Sequence, residues 1–203
     1  MAETREFVPN FGWESIDMTS NFPTFVGESV NLKRHKRAIP AHRWEFEFTT
    51  PLLDVDQQRD FFAFISRLRG QLVPFEFIHP VYSTPRGNMT NRTLTIAEAP
   101  QPGETQIIVE GFLSNEVNVV RSGDLIKIGT KVYQASIDAD SDASGRALIS
   151  LNSPLVALYA IGDPVIGDNV PFLLSMTEDL VTVEMEGDNA RMVQFTVTAV
   201  EDF

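Results

Sequence analysis

The chain has no cysteine among its 203 residues, which removes disulfides, thiolate zinc sites and cysteine nucleophiles together. Stability must then come from packing or from assembly. Its three histidines, His35, His42 and His79, show no short metal-ligand spacing, so the default for each is a structural or exposed ring. Long apolar runs are missing too. The longest candidate, Leu155 to Ile161, falls far short of the ~20 residues that a membrane-spanning helix needs, and no membrane partner is expected. The first six residues, Met1 to Glu6, carry neither a basic cluster nor an apolar stretch, so no signal peptide is expected and manufacture is expected in the cytoplasm. Basic residues are scarce, with 16 Lys and Arg against 28 Asp and Glu for a net charge of −12. A chain this acidic is poorly suited to hold DNA or RNA, because phosphate binding works through Lys and Arg that displace condensed counterions. The same acidity suits a surface past which nucleic acid must slide without sticking.

Catalytic and ligand-binding signatures are equally thin. No G-x-S-x-G, phosphate-binding glycine loop or H-E-x-x-H occurs. The triplet Asp138, Asp140, Asp142 resembles the opening of a calcium loop, but Ala143 stands where the sharp turn needs Gly and Ile149 where a bidentate Glu is needed. A polar hairpin loop is the expectation there. The pair Glu184 and Glu186 falls on the wet face of a strand pattern and needs no catalytic explanation. No catalytic residue, metal or cofactor is expected, and the chain does not read as an enzyme.

What is present is a strand, a helix and a strand in close succession between Arg43 and His79. Trp44, Phe46 and Phe48 alternate with Glu45 and Glu47, which puts three aromatics on one strand face and two carboxylates on the other. Asp54 and Gln57 have the spacing of a capping box. Val55, Phe61, Phe62, Ile65 and Leu68 follow near helical period, with Arg67 and Arg69 in the last turn and Gly70 suited to a left-handed cap. This predicts a helix over about 54–69. Phe75 and Phe77 resume the alternation between Pro74 and Pro80.

Elsewhere the chain reads as short strands and turns. The first 27 residues are rich in aromatics (Phe7, Phe11, Trp13, Phe22, Phe25) but broken by Pro and Gly. The run Lys33-Arg34-His35-Lys36-Arg37 places four fixed cations in five residues. It reads either as a solvated hairpin tip or as an arm that docks on an acidic neighbour, and Arg34, Lys36 and Arg37 are the candidate interface residues. Residues 1–88 carry 10 Lys and Arg against 11 Asp and Glu, and residues 89–203 carry 6 against 17, so that neighbour could be another copy of the same chain. Five β-type runs between Thr93 and Leu151, separated by Gly-Asp and Pro-Gly turns, match a small barrel of the OB type or a compact sandwich. After Pro171 the pattern returns to paired strands, with Gly187-Asp188-Asn189 as a turn. The expected fold is mainly β with one helix: a sandwich or split-barrel domain from 1–88 and 171–203, carrying a small barrel, 89–170, as an insertion.

The Arg43-Trp44-Glu45-Phe46 strand, the helix ending Phe61 to Gly70, the Phe75-Glu76-Phe77 strand and the Pro85-Arg86-Gly87 exit into a Gly-Asp barrel resemble the distal tail proteins of long-tailed, siphovirus-type bacteriophages. The closest likeness is to the short form found in phages of Gram-negative hosts. The resemblance covers most of the chain at the level of order and pattern. It implies a structural virion protein whose N-terminal domain forms a hexameric ring at the tail tip. Such a ring would join the tail-tube protein to the baseplate hub, carry fibres or a collar, and let DNA pass without specific binding. The competing expectation is a carbohydrate-binding module of a tail or surface complex, since OB-like barrels also bind oligosaccharides. Between residues 89 and 170, however, Phe112, Tyr133 and Tyr159 are the only aromatics, and a sugar platform needs exposed rings.

Overall fold

A computed structural model describes residues 6–9, 12–179 and 192–203. Within them the chain is mainly β with a single helix, and it divides into two compact units. The first comprises Met1–Asn21, Arg43–Phe77 and Leu173–Phe203, the second Phe22–His42 and Ile78–Phe172. Residues 22–42 and 78–88 thus group with the second unit, which corrects the expected assignment of 1–88 to the first. The turn expected at Gly187 to Asn189 and the Glu184/Glu186 pair lie outside the described residues.

The first unit is a six-stranded sheet in the order β1-β6-β13-β14-β5-β2. Its strands are β1 (Glu6–Phe7), β2 (Ser15–Asn21), β5 (Arg43–Thr49), β6 (Phe75–Ile78), β13 (Pro171–Met176) and β14 (Thr196–Glu201). The alternation of β5 works as expected: Trp44, Phe46 and Phe48 are buried while Glu47 is exposed. Phe48 meets Trp13 and Phe77 at ring distances of 4.9 and 4.7 Å. Burying each such ring stabilises the fold by roughly 2–3 kcal/mol.

Helix α1 spans Val55–Leu68. Asp54 accepts from the backbone N–H groups of Asp56 and Gln57 at 3.0 and 2.9 Å, and Gln57 Oε1 accepts from Asp54 N–H at 3.1 Å, closing the capping box. The left-handed turn begins one residue earlier than expected, at Arg69 (φ 52°), and continues through Gly70 (φ 67°). The inward face also differs from the expected stripe. Gln58, Phe61, Phe64, Ile65 and Leu68 are buried, whereas Val55 and Phe62 are exposed. Gln58 is tolerated inside because its amide donates to the Leu53 carbonyl at 2.9 Å. Phe61 and Phe64 pack on Phe195 and Phe75 of the sheet at 5.0 and 5.7 Å.

The barrel of the second unit has six strands, one more than the five runs counted in the sequence: β7 (Leu94–Ile96), β8 (Gln106–Glu110), β9 (Leu125–Ile128), β10 (Lys131–Gln134), β11 (Arg146–Ser150) and β12 (Pro164–Ile166). They are ordered β10-β9-β12-β7-β8-β11. The sheet curls until its outer strands meet: Ala135 bridges Leu151, Ser136 N–H donates to Ser150 O, and Asn152 N–H donates to Gln134 O, both at 2.8 Å. Ile96, Val109, Ile126, Ile128, Tyr133 and Ile149 fill the interior. Buried Asp124 accepts three backbone N–H groups, from Arg86, Gly87 and Arg121, at 2.7–2.9 Å, which fastens the Pro85-Arg86-Gly87 exit to the barrel. The remaining strands, β3 (Thr24–Glu28) and β4 (Arg34–Ala38), form a separate two-stranded sheet.

Candidate functional site: a basic hairpin and an acidic sheet face

Strands β3 and β4 pair antiparallel, Thr24 opposite Ala38 and Glu28 opposite Arg34. Nine of their ten residues are exposed, Gly27 alone being half-buried. A hairpin with neither face covered is marginal by itself in water. Its root is held by a local cluster. The Phe22 ring lies 4.4 Å from that of His42, His42 is buried, and its Nε2 sits 3.5 Å from the Asn152 amide. Burial, and then the charge of Lys131, push the His42 pKa down to about 4. His42 is therefore a neutral structural ring at neutral pH. His79 is structural as well: its Nδ1 accepts the N–H groups of Val81 and Tyr82, each at 3.1 Å.

The basic run does not form the hairpin tip. The turn is Ser29 to Lys33, closed by Ser29 N–H donating to Lys33 O at 3.0 Å, with Leu32 in the left-handed region at φ 61°. Arg34, Lys36 and Arg37 instead lie along the shaft of β4. Because strand side chains alternate, Arg34 and Lys36 share one face while Arg37 lies on the other with His35. The three predicted interface residues are thus close in the chain but divided between two faces. Among the described residues, none of Lys33, Arg34, Lys36 and Arg37 has a carboxylate partner. Sequence reasoning missed the apolar part of this element: Phe25, Val26, Val30 and Leu32 are all exposed. The only signal for it was the lack of any polar partner pattern around Val30 and Leu32.

The hairpin carries four cations against one carboxylate, Glu28, so the rest of the chain holds a net charge of −15. Part of that excess is concentrated on the wet face of the first unit's sheet. Asp17 of β2 pairs in register with Glu47 of β5, which pairs with Thr198 of β14. Two like charges directly opposite each other destabilise a strand pair, and neither has a cationic partner among the described residues. Glu45, one pleat away, is satisfied within its own unit. It accepts from Arg43 at 2.7 Å and Asn21 at 2.8 Å, and these bonds hold its carboxyl below the usual range. Asp17, Glu45, Glu47 and Thr198 border a shallow groove of about 470 Å³.

The acidic triplet of the barrel loop is used locally. Asp138 accepts Ser122 N–H at 2.7 Å, Asp140 accepts Asn118 N–H at 2.6 Å, and Asp142 accepts Ser144 N–H and Arg146 N–H at 2.8 and 2.9 Å. These carboxylates cap backbone amides, and those bonds hold the Asp142 carboxyl below its ordinary range. Phe112 and Tyr133 are in the barrel core, and the Tyr159 hydroxyl donates to the Ile128 carbonyl at 3.3 Å. No protein-family model matches the chain, and no curated protein shows significant similarity to it.

Proposed function

We propose that this protein is a structural ring subunit of a phage tail tip, joining the tail tube to the baseplate hub and leaving a lumen through which DNA passes. The single observation that carries the reading is the free-standing basic hairpin on an otherwise acidic chain. A closed ring needs a head-to-tail contact that uses two different patches of one subunit. A basic arm and an acidic face supply such a pair and favour encounter in one orientation. The wet face bearing Asp17 and Glu47 suits a DNA conduit, because unpaired carboxylates repel phosphate. The role is assembly and sealing at the tail tip of the virion, with no reaction catalysed. The strand-helix-strand order that resembles distal tail proteins supports the same reading.

The test is direct. Purified protein, alone and mixed with tail-tube and hub proteins, is examined by native mass spectrometry and by electron microscopy of particles. Six-membered rings, together with gold label at tail tips of phage carrying a tagged copy, are the expected result. A chain that stays monomeric in every mixture and labels no tail tip sinks the proposal.

A further inference from the structure

We propose that β4 of one copy adds edge-on to β2 of the next, extending the first unit's sheet so that Arg34 and Lys36 lie beside Asp17 and Glu47. This inference rests on the ring reading above and names the contact that builds it. The argument starts from strand edges. β2 is the outermost strand of its sheet, seven residues long, and has only β5 beside it among the described residues. It carries none of the devices that usually protect an edge: no Lys, Arg or Pro, its one charge being Asp17. β4 likewise has only β3 beside it. Among the described residues these two outer strands contrast in charge: β2 is flanked by carboxylates with no cationic partner, and β4 carries cations with no carboxylate partner.

Only Phe22 and Pro23 separate β2 from β3, and both common two-residue hairpin turns need positive φ at the first of these, a conformation that a bulky Phe22 disfavours. A second copy has no such restriction. Edge-to-edge addition would supply backbone hydrogen bonds along the five residues of β4. It would bring alternate side chains of the two strands within about 5 Å of each other. It also gives the marginal hairpin a larger sheet to join.

The lack of native cysteine makes the contact open to cross-linking. A Thr19→Cys chain is mixed with an Ala38→Cys chain, and a Ser15→Cys chain with the same partner, under mild oxidation. Ala38 shares the face of Arg34 and Lys36, so neither engineered thiol removes a charge. A mixed disulfide between different chains is expected in at least one pairing, and none between Leu148→Cys and Ala38→Cys. Asp17→Arg with Glu47→Arg should slow the cross-link about tenfold, equivalent to about 1.4 kcal/mol. Combining that pair with Arg34→Glu and Lys36→Glu in the partner should restore it, which a misfolded variant could not do. Multimers by mass spectrometry without either disulfide overturn the edge contact and leave the ring standing. Disulfide-linked pairs with no closed ring in any mixture overturn the ring and leave the contact standing. The absence of both multimers and disulfides overturns both.

Discussion

A Cβ placed on Gly87 would lie 2.5 Å from the Val119 carbonyl oxygen, closer than real side chains approach, and its neighbour there is backbone that cannot swing aside. Gly87→Ala should lower the stability of the barrel by about 2 kcal/mol, read as a shifted denaturant midpoint with unchanged slope. The Asp124 carboxylate, which also holds Gly87 N–H at 2.9 Å, should lose part of its grip in the same variant. His42 gives a pH-dependent prediction at the same scale. Its folded-state pKa of about 4 lies below the ordinary value of 6.5, so folding favours the neutral ring. That contribution is whole above about pH 6.5, drains as the pH falls toward 4, and amounts to at most about 3 kcal/mol. Chemical denaturation across this range should show the loss, and His42→Gln should flatten it. An unchanged slope in that variant would show that another group is responsible.

At the scale of elements, the helix start is the most local feature of the fold, and it was the most legible. Asp54→Ala removes the acceptor for two N–H groups and should destabilise the first unit by about 1 kcal/mol. Thermal unfolding followed by near-ultraviolet signals from Trp13 and Trp44 would measure it. Caps and two-residue alternation are written into neighbouring residues, which is why β5, α1 and β6 could be read from the sequence. What could not be read depends on distant partners. Phe61, Phe62 and Phe64 are equivalent as hydrophobes, and only the sheet beneath the helix selects Phe61 and Phe64 for burial. β12 is three residues long, too short to show a period. The basic run was expected to be able to form a hairpin tip because it is charged. The actual turn uses Leu32 at positive φ, a position where glycine or asparagine is the usual marker, so no turn signal separated tip from shaft. The apolar tip of Val30 and Leu32 went unnoticed for the same reason.

At the scale of the whole molecule, the separation of charge predicts how self-association responds to salt. A contact between exposed arms and faces is screened once the Debye length falls to about 3 Å near 1 M salt. Multimers seen at low ionic strength should therefore dissociate as salt rises. Arg34→Glu with Lys36→Glu should abolish them with little change in the unfolding temperature, because both side chains are exposed. Sedimentation velocity across a salt series distinguishes this from an assembly held by apolar contacts, which would strengthen instead. The strand order of the first unit bears on time as well as on shape. β14 lies between β13 and β5 in the sheet, yet it comes after both of them in sequence, as the last of the described strands. During synthesis from the N-terminus, β2 and β5 must wait for residues 196–201 before their sheet has a centre, whereas all six barrel strands have already emerged by residue 166. Long-range pairing of this kind forms late. Under the proposed contact, the β2 edge would have a complete sheet behind it only once residues 196–201 have been made.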